Sequence, residues 1–266
     1  MRPGRYIIPL LSVMLLLHGT FCRGQFLDSA SGLLHAPSAD MSPSGTFMVT
    51  VNFMNYHATP PAWNYHTIGY GLNLVLFPRV ELGYAMTLID GRKRPNPSER
   101  EKILINQDRH FYAKFQLLKE GEFGLSWIPS LAIGVSDPTT SDPNKRLDID
   151  LLDFDVSSGN GFFNRYFAVA TKHFPSLFGN FGAHLGYQYN LRRDTHYNGP
   201  CAALDWEPVW LRKEGIVSAK LIVEYDARTF NVGCIASLWQ DHFDIMVDLQ
   251  SLRWFSAGVR FKMVLQ

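Results

Sequence analysis

Apolar and polar residues alternate with a period of two in about a dozen segments, and this pattern constrains the fold more than any other feature. In residues 217–226, Val217, Leu221 and Val223 share one face, while Lys220 and Glu224 share the other. Because successive side chains of a strand point to opposite faces, the pattern predicts strands throughout. The predicted strands cover residues 46–56, 65–77, 80–89, 108–118, 126–136, 165–174, 181–190, 199–207, 217–226, 229–239, 242–250 and 254–265.

The lengths of these strands and of their connections predict a membrane barrel. Most strands have about 9–11 residues, as a tilted strand needs to cross a bilayer, whereas strands of soluble proteins average about 5–6. If the first strand runs outward, the external connections include the two longest, 90–107 and 137–164, and the inner ones include 78–79 and 240–241. Long outer loops, short inner turns and an even strand number predict an all-β fold, a transmembrane antiparallel β-barrel of about 12 strands.

A soluble β-sandwich or lipocalin-like barrel is the alternative, because its strands alternate too, with the apolar face turned to a core. Aromatic residues make up 14% of the chain, and many of them fall near predicted strand ends, as do Tyr56, Phe77, Trp127 and Trp254. Aromatic residues gather at membrane interfaces, so their positions favour the membrane barrel.

The N-terminus predicts secretion. Arg2 and Arg5 precede an apolar run at 6–17, and small residues near Gly24 suit a cleavage site. A transmembrane anchor is the alternative, but the run is shorter than the ~20 residues a spanning helix needs. The predicted domains are a signal peptide at 1–24, an N-terminal periplasmic segment at 25–45 and an outer-membrane barrel at 46–266. This organisation predicts the outer membrane of a Gram-negative bacterium, after cleavage of the signal peptide.

The last predicted strand resembles the C-terminal signal that the barrel assembly machinery reads in bacterial outer-membrane proteins. That signal has a polar residue, a glycine and two apolar residues spaced by two on the lipid face. The matching residues here are Ser256, Gly258, Phe261 and Met263.

Several motifs resemble those of YjbH-type proteins, which are outer-membrane proteins associated with exopolysaccharide production. Residues 32–47 are similar to the family's opening "GL-x-x-x-P-[ST]-A-x-x-x-P-x-G" stretch, and residues 108–118 to its "D-R-S-x-D-x-K-[FY]-x-L" strand. Residues 199–226 resemble its "GPF-x-GLE-[WY]…K-x-E-Y-D" region, with Ala203 in place of a usual glycine. Residues 145–163 look like an insertion, and longer family members carry a further half. The resemblance implies a role in polysaccharide production or export.

Charged residues on the strands are the candidate functional groups. A Lys or Arg on the lipid face costs ~2–4 kcal/mol at mid-depth, so these side chains are expected to face the lumen. They form either a salt-bridged filling that makes the barrel rigid or the lining of a solute path. The candidates are Glu81, Lys114, Lys220, Glu224, Asp226, Asp244, Asp248, Arg260 and Lys262.

Other chemistry finds little support in the sequence. No G-x-S-x-G elbow is present, so no catalytic residue is predicted. His173, His184, His196 and His242 show no metal-ligand spacing, and no metal site or cofactor is predicted. Acids at 148, 150, 153 and 155 suit either a solvated outer loop or a Ca²⁺ site. Cys201 and Cys234 fall on next-but-one strands, nearly ~10 Å apart, which is beyond disulfide reach.

The predicted function is that of a non-enzymatic outer-membrane barrel that supports exopolysaccharide or capsule production or export. A small-solute porin or structural barrel is one alternative, and a lipid- or glycan-modifying enzyme is another. The expected partners are outer-membrane lipid, the barrel assembly machinery, polysaccharide and export proteins. Nucleic acid is not expected, because the formal net charge is only +1.

Overall fold

The computed structural model describes residues 30–58, 66–91, 103–138, 163–190 and 198–265. The predicted signal peptide and the four aspartates at 148–155 lie outside these residues. In the described part of the chain, no helix is long and apolar enough to span a membrane.

The described residues form twelve β-strands, each antiparallel to its neighbours in the sequence. β12 also pairs with β1, which closes the barrel and leaves no sheet edge unpaired. The predicted 12-stranded antiparallel barrel is therefore confirmed. The strands are β1 (Thr46–Met54), β2 (Thr67–Phe77), β3 (Val80–Gly91), β4 (Ile103–Leu118), β5 (Ser130–Ser136), β6 (Arg165–Ser176), β7 (Gly179–Tyr189), β8 (Gly199–Pro208), β9 (Ile216–Tyr225), β10 (Phe230–Leu238), β11 (Phe243–Gln250) and β12 (Trp254–Val264).

The barrel is polar inside and apolar outside. In β9, Lys220 and Glu224 are buried, whereas Leu221 and Val223 are 41% and 54% exposed. A soluble barrel has the opposite arrangement, because its apolar side chains must fill the core. An apolar outer wall around a polar interior is the arrangement of a membrane-spanning barrel.

The two ends of the barrel differ in their connections. We call the end that holds Gly45 and Leu265 the turn end; there the Leu265 N–H donates to the Gly45 carbonyl at 2.8 Å. The opposite end is the loop end, which includes the connections at 92–102 and 137–164. Exposed aromatic side chains gather on the connections of the turn end, as expected for a membrane interface. They are Phe123, Trp127, Phe178, Trp210 and Trp239.

β5 begins at Ser130, later than the sequence pattern predicts. The preceding residues fold into a compact turn in which the Gly121 N–H donates to the Ile128 carbonyl at 3.0 Å. Phe123 and Gly124 both have positive φ, at 63° and 74°, so the chain curls instead of extending.

The structure corrects the prediction for residues 30–45, the described part of the segment predicted at 25–45. The part predicted to lie in the periplasm enters the barrel: residues 30–42, which we call the plug, are nearly all buried inside the lumen. Only residues 43–45 lie at the turn end, where the Gly45 N–H donates to the Val75 carbonyl at 2.7 Å. The plug occupies the lumen because charged side chains of the wall bind its backbone groups, as described below.

Candidate functional site

All nine charged residues predicted to face the lumen are buried in the barrel. The exposed fraction is at most 4% for each of them. Charged side chains are rarely buried this completely unless they are paired. Their partners in the structure are the plug, each other and nearby groups of the barrel wall.

The tip of the plug binds Glu224 of β9. The backbone N–H groups of Leu34, His35 and Ala36 donate to its carboxylate at 3.2, 2.7 and 3.2 Å. Three successive N–H groups that converge on one anion form a concave anion-binding nest. Hydrogen bonds to a charged acceptor are stronger than neutral ones, so Glu224 holds the tip firmly.

His35, at the tip, is bound on two further sides. The Arg165 guanidinium donates to the His35 carbonyl at 2.9 Å, and His35 Nε2 donates to the Asp248 carboxylate at 2.6 Å. Burial acts to lower the pKa of His35, but the charge and hydrogen bond of Asp248 outweigh it and leave the pKa raised. In the plugged state the imidazole therefore keeps its proton to a higher pH than a free histidine does.

The base of the plug binds a second ion pair. The Glu81 carboxylate accepts the Ser31 N–H at 2.6 Å and pairs with the Lys114 ammonium at 2.9 Å. Lys114 in turn donates to the backbone carbonyls of Ser31 at 2.9 Å and Asp40 at 2.7 Å. Both arms of the plug are thus joined to the β3–β4 wall through one lysine.

Apolar contacts hold the plug on two sides of the lumen. Leu33, Leu34 and Ala36 pack in one cluster with Ala203, Ile222, Ile235 and Met246. Ala30 and Ala39 pack in another with Tyr112, Ala132, Phe167 and Val169. Ile222 and Met246 interrupt the polar faces of β9 and β11. In the sequence, these two apolar residues on lumen-facing positions indicate that an apolar segment lies inside the barrel.

The remaining predicted residues bond within the wall or touch the plug more weakly. Arg260 pairs with Asp244, and its guanidinium lies 3.5 Å from the Ala30 carbonyl. Lys262 also pairs with Asp244, at 3.0 Å. Asp226 accepts the backbone N–H groups of 228 and 229 and so caps the β9–β10 turn.

Asp40 of the plug faces Lys220, whose ammonium lies 4.0 Å from it and 3.3 Å from Asp205. Burial acts to raise the pKa of Asp40, but His173 and Lys220 outweigh it, and the pKa is lowered. Six of the nine predicted residues thus contact the plug: Glu81, Lys114, Lys220, Glu224, Asp248 and Arg260.

The structure also forms a group that the sequence did not predict, on β6, β7 and β8. His184 Nε2 donates to the Asp205 carboxylate at 2.6 Å, and in the neutral ring Nδ1 accepts from Thr171 Oγ1 at 2.9 Å. Thr171 Oγ1 also accepts the Ala39 N–H of the plug at 3.0 Å. Gly182 faces Asp205 and leaves room for the carboxylate, which a Cβ would overlap. A carboxylate, imidazole and hydroxyl in this order can activate a nucleophile.

The four residues of the predicted assembly signal lie on β12. Phe261 and Met263 point outward and are exposed, whereas Ser256 is buried and accepts the Asn55 N–H at 3.2 Å. Gly258 lies against Asn52, whose side chain occupies the position a Cβ would take.

Two further sequence predictions concern the cysteines and metal binding. Cys201 and Cys234 are both free thiols. Among the described residues, no three His, Cys, Asp or Glu side chains come together as a metal site would require.

Comparison with known proteins gives one family. The model of the family described as "Exopolysaccharide biosynthesis protein YbjH" (YjbH) matches residues 28–142. The chain resembles the YjbH family. The matched stretch contains the plug and β1–β5, which is somewhat less than half of the chain. The YjbH-like motifs noted at 199–226 lie outside it and stay a prediction.

Two solved structures are among those similar to this chain. LpxR from Salmonella typhimurium is 9% identical, with a TM-score of 0.36 over 81% of this chain and 99% of that one. A mutant porin of Rhodopseudomonas blastica is 12% identical, with a TM-score of 0.30 over 83% of this chain and 74% of that one. Among curated proteins, none matches this chain.

Proposed function

We propose that this chain is a non-enzymatic outer-membrane barrel that supports exopolysaccharide or capsule production or export, and that its own plug closes the lumen at rest. The match to an exopolysaccharide family over residues 28–142 carries the proposal, because the matched stretch includes the plug. Removal of a signal peptide would place the turn end in the periplasm and the loop end outside the cell.

The way in which the plug is held is compatible with release. Many of its polar contacts join backbone groups to charged side chains, as with Glu224, Lys114 and Arg165. Water can replace such hydrogen bonds when the plug withdraws, so each contributes only about 0.5–3 kcal/mol net. A wall of ionised side chains would then remain as a hydrated path.

The size of the barrel limits what could pass. Barrels of about 8 strands are filled by side chains, and porins of about 16–18 strands are open. Twelve strands give an intermediate lumen, wide enough for an extended glycan strand once the plug is displaced and too narrow for a folded polymer. We propose outer-membrane lipid, the barrel assembly machinery, polysaccharide and export proteins as partners.

The test combines gene deletion with a plug variant, E224Q. Deletion should lower surface polysaccharide, and wild-type protein should restore it. Gln keeps the size of Glu224 but replaces one acceptor oxygen with a donor amide, so the tip should bind about 2–3 kcal/mol more weakly. In planar bilayers E224Q should therefore open far more often than wild type. E214Q, at an exposed acid of the β8–β9 connection, is the matched control.

The possible results separate the polysaccharide role, the displaceable plug and the porin alternative. Deletion without any change in surface polysaccharide would refute the proposed role. Wild-type and E224Q channels with the same low conductance would refute a displaceable plug. Steady ion conductance by wild type, with unchanged polysaccharide, would favour the small-solute porin instead.

The enzymatic alternative is supported by Thr171, His184 and Asp205. If they activate a nucleophile, T171V and H184Q should each abolish hydrolysis of purified envelope lipid or glycan, measured by mass spectrometry, in barrels that remain folded. T50V is the control, because it removes a hydroxyl from the lumen wall of β1. Wild type that releases no product would exclude this alternative.

A further inference from the structure

Six side chains at the loop end form a continuous series of contacts in which aromatic and basic groups alternate. The ring centroids of Phe53 and His66 lie 5.2 Å apart, and those of His66 and Tyr56 lie 5.3 Å apart. His57 follows Tyr56 at 3.8 Å and stacks on Trp254 at 3.6 Å, with 21° between the planes. The Arg253 guanidinium lies 4.6 Å from the Trp254 ring. We call these six residues the rim stack.

The rim stack crosses the edge of the barrel. Phe53 points outward from the end of β1 and is 39% exposed. Trp254 begins β12 in register with Gln250, which is buried in the lumen. One end of the stack therefore lies on the lipid-facing wall, and the other at the mouth of the barrel.

Hydrogen bonds fix the connection that carries the middle of the stack. The Asn55 N–H donates to Ser256 Oγ at 3.2 Å, and the His57 N–H donates to Asn55 Oδ1 at 3.1 Å. The Tyr56 N–H donates to His66 Nδ1 at 3.2 Å. Because Nδ1 of His66 accepts this bond, Nε2 carries the ring proton and can donate to a ligand.

The part of the barrel around the rim stack carries basic side chains and no acidic ones. The sequence has no Asp or Glu in residues 41–80 or 249–266, so β12, β1, β2 and their connections supply no carboxylate side chain. Asp248, which precedes this sector, is buried and bonded to His35. His57, His66 and Arg253 are all exposed, so their donors are open to a ligand.

We infer that the rim stack binds the anionic, phosphorylated saccharide headgroup of an outer-leaflet glycolipid. A guanidinium binds phosphate bidentately, and stacking on Trp254 holds its plane while its N–H edge stays free. The imidazoles add further donors beside the guanidinium. The outward position of Phe53 favours a lipid ligand, because a headgroup at the bilayer surface meets that wall first. This inference rests on the proposed orientation, with the loop end outside the cell.

The experiment uses the full chain in phospholipid nanodiscs and measures binding of lipopolysaccharide, before and after phosphatase treatment. R253Q and the double variant H57Q/R253Q should weaken binding of the phosphorylated form about tenfold or more. Phosphatase treatment should weaken wild type equally and the double variant little further. R212Q, at an exposed arginine of the turn end, is the matched control and should bind as wild type does. The mobility shift on heating checks that each variant is folded.

Equal affinity of wild type and the double variant would overturn the inference. So would tighter binding of a soluble oligogalacturonate than of lipopolysaccharide, because the ligand would then be a secreted acidic glycan. Surface polysaccharide, measured after gene deletion and in the same variants, separates this inference from the proposed function. Lipid binding that depends on Arg253, with no effect of gene deletion on polysaccharide, would refute the proposed function alone.

Discussion

At the scale of single residues, charged side chains of the wall hold the plug by hydrogen bonds to its backbone. Glu224 accepts three backbone N–H groups, and Lys114 donates to two backbone carbonyls. A charged side chain in the lumen needs such partners, since burying an unpaired charge is costly. The plug and the wall therefore stabilise each other, and removal of either would leave buried charges without partners.

His35 makes the plugged state dependent on pH. Its pKa is raised because Asp248, with Glu224 and Asp226 nearby, outweighs the effect of burial. The raised pKa means that the stabilisation is fully present below the ordinary His pKa of about 6.5 and is lost as pH rises through the raised value. We expect channel opening to increase over that range, as measured by conductance. H35Q should abolish this dependence, and an unchanged pH profile in H35Q would contradict the assignment.

At the scale of elements, a side chain replaces a missing strand partner. β5 pairs with β6 only as far as Thr171, so the end of β6 extends past its neighbour. Glu120, in the connection before β5, accepts the His173 N–H at 3.1 Å and the Lys172 ammonium at 2.6 Å. The carboxylate thus occupies the place of a strand carbonyl beside β6.

Removal of this carboxylate should destabilise the barrel at its turn end. E120A leaves the His173 N–H without its acceptor and removes one of the two acceptors of Lys172, which should cost about 1–3 kcal/mol and lower the midpoint of the heat-induced gel shift. E214A, at an exposed acid of the β8–β9 connection, is the control and should change little.

The same contact predicts acid sensitivity. Partial burial acts to raise the pKa of Glu120, but hydrogen bonds from Lys172 and His173 lower it overall. Its stabilisation is therefore present above the ordinary Glu pKa and is lost as pH falls through the lowered value. E120Q should flatten this part of the acid unfolding curve, and a curve identical to that of wild type would contradict the role.

β12 carries the predicted assembly signal. Replacing the outward Phe261 and Met263 by Ser should lower the amount of folded barrel in the membrane severalfold, because the assembly machinery is expected to read this strand. F255S, at an outward residue of the same strand, is the matched control. An equal loss in both variants would indicate that lipid contact alone matters.

At the scale of the whole molecule, closure of twelve strands leaves no free edge, and an apolar wall surrounds a filled polar interior. We expect the unboiled protein to migrate differently from the boiled protein on SDS gels, because a closed barrel resists detergent. When intact cells are treated with protease, the protein should be cut within the connection at 137–164. A soluble periplasmic protein with no mobility shift would contradict the membrane placement.

The strands were predictable because strand alternation is a local property. All twelve appear in order, and the predicted lumen residues, such as Glu81 and Arg260, lie buried. The length of β5 was not predictable, since positive φ at Phe123 and Gly124 arises from the packing of one turn.

What the sequence by itself determined is the period of two, and with it the strand number, the polar and apolar faces and the barrel. Only the tertiary structure decided what fills the lumen. The plug is bound through its backbone N–H and carbonyl groups, which leave no pattern in a side-chain sequence, and its partner Glu224 lies 190 residues from Leu34. Thr171, His184 and Asp205 meet for the same reason, because only the register of β6, β7 and β8 brings them side by side.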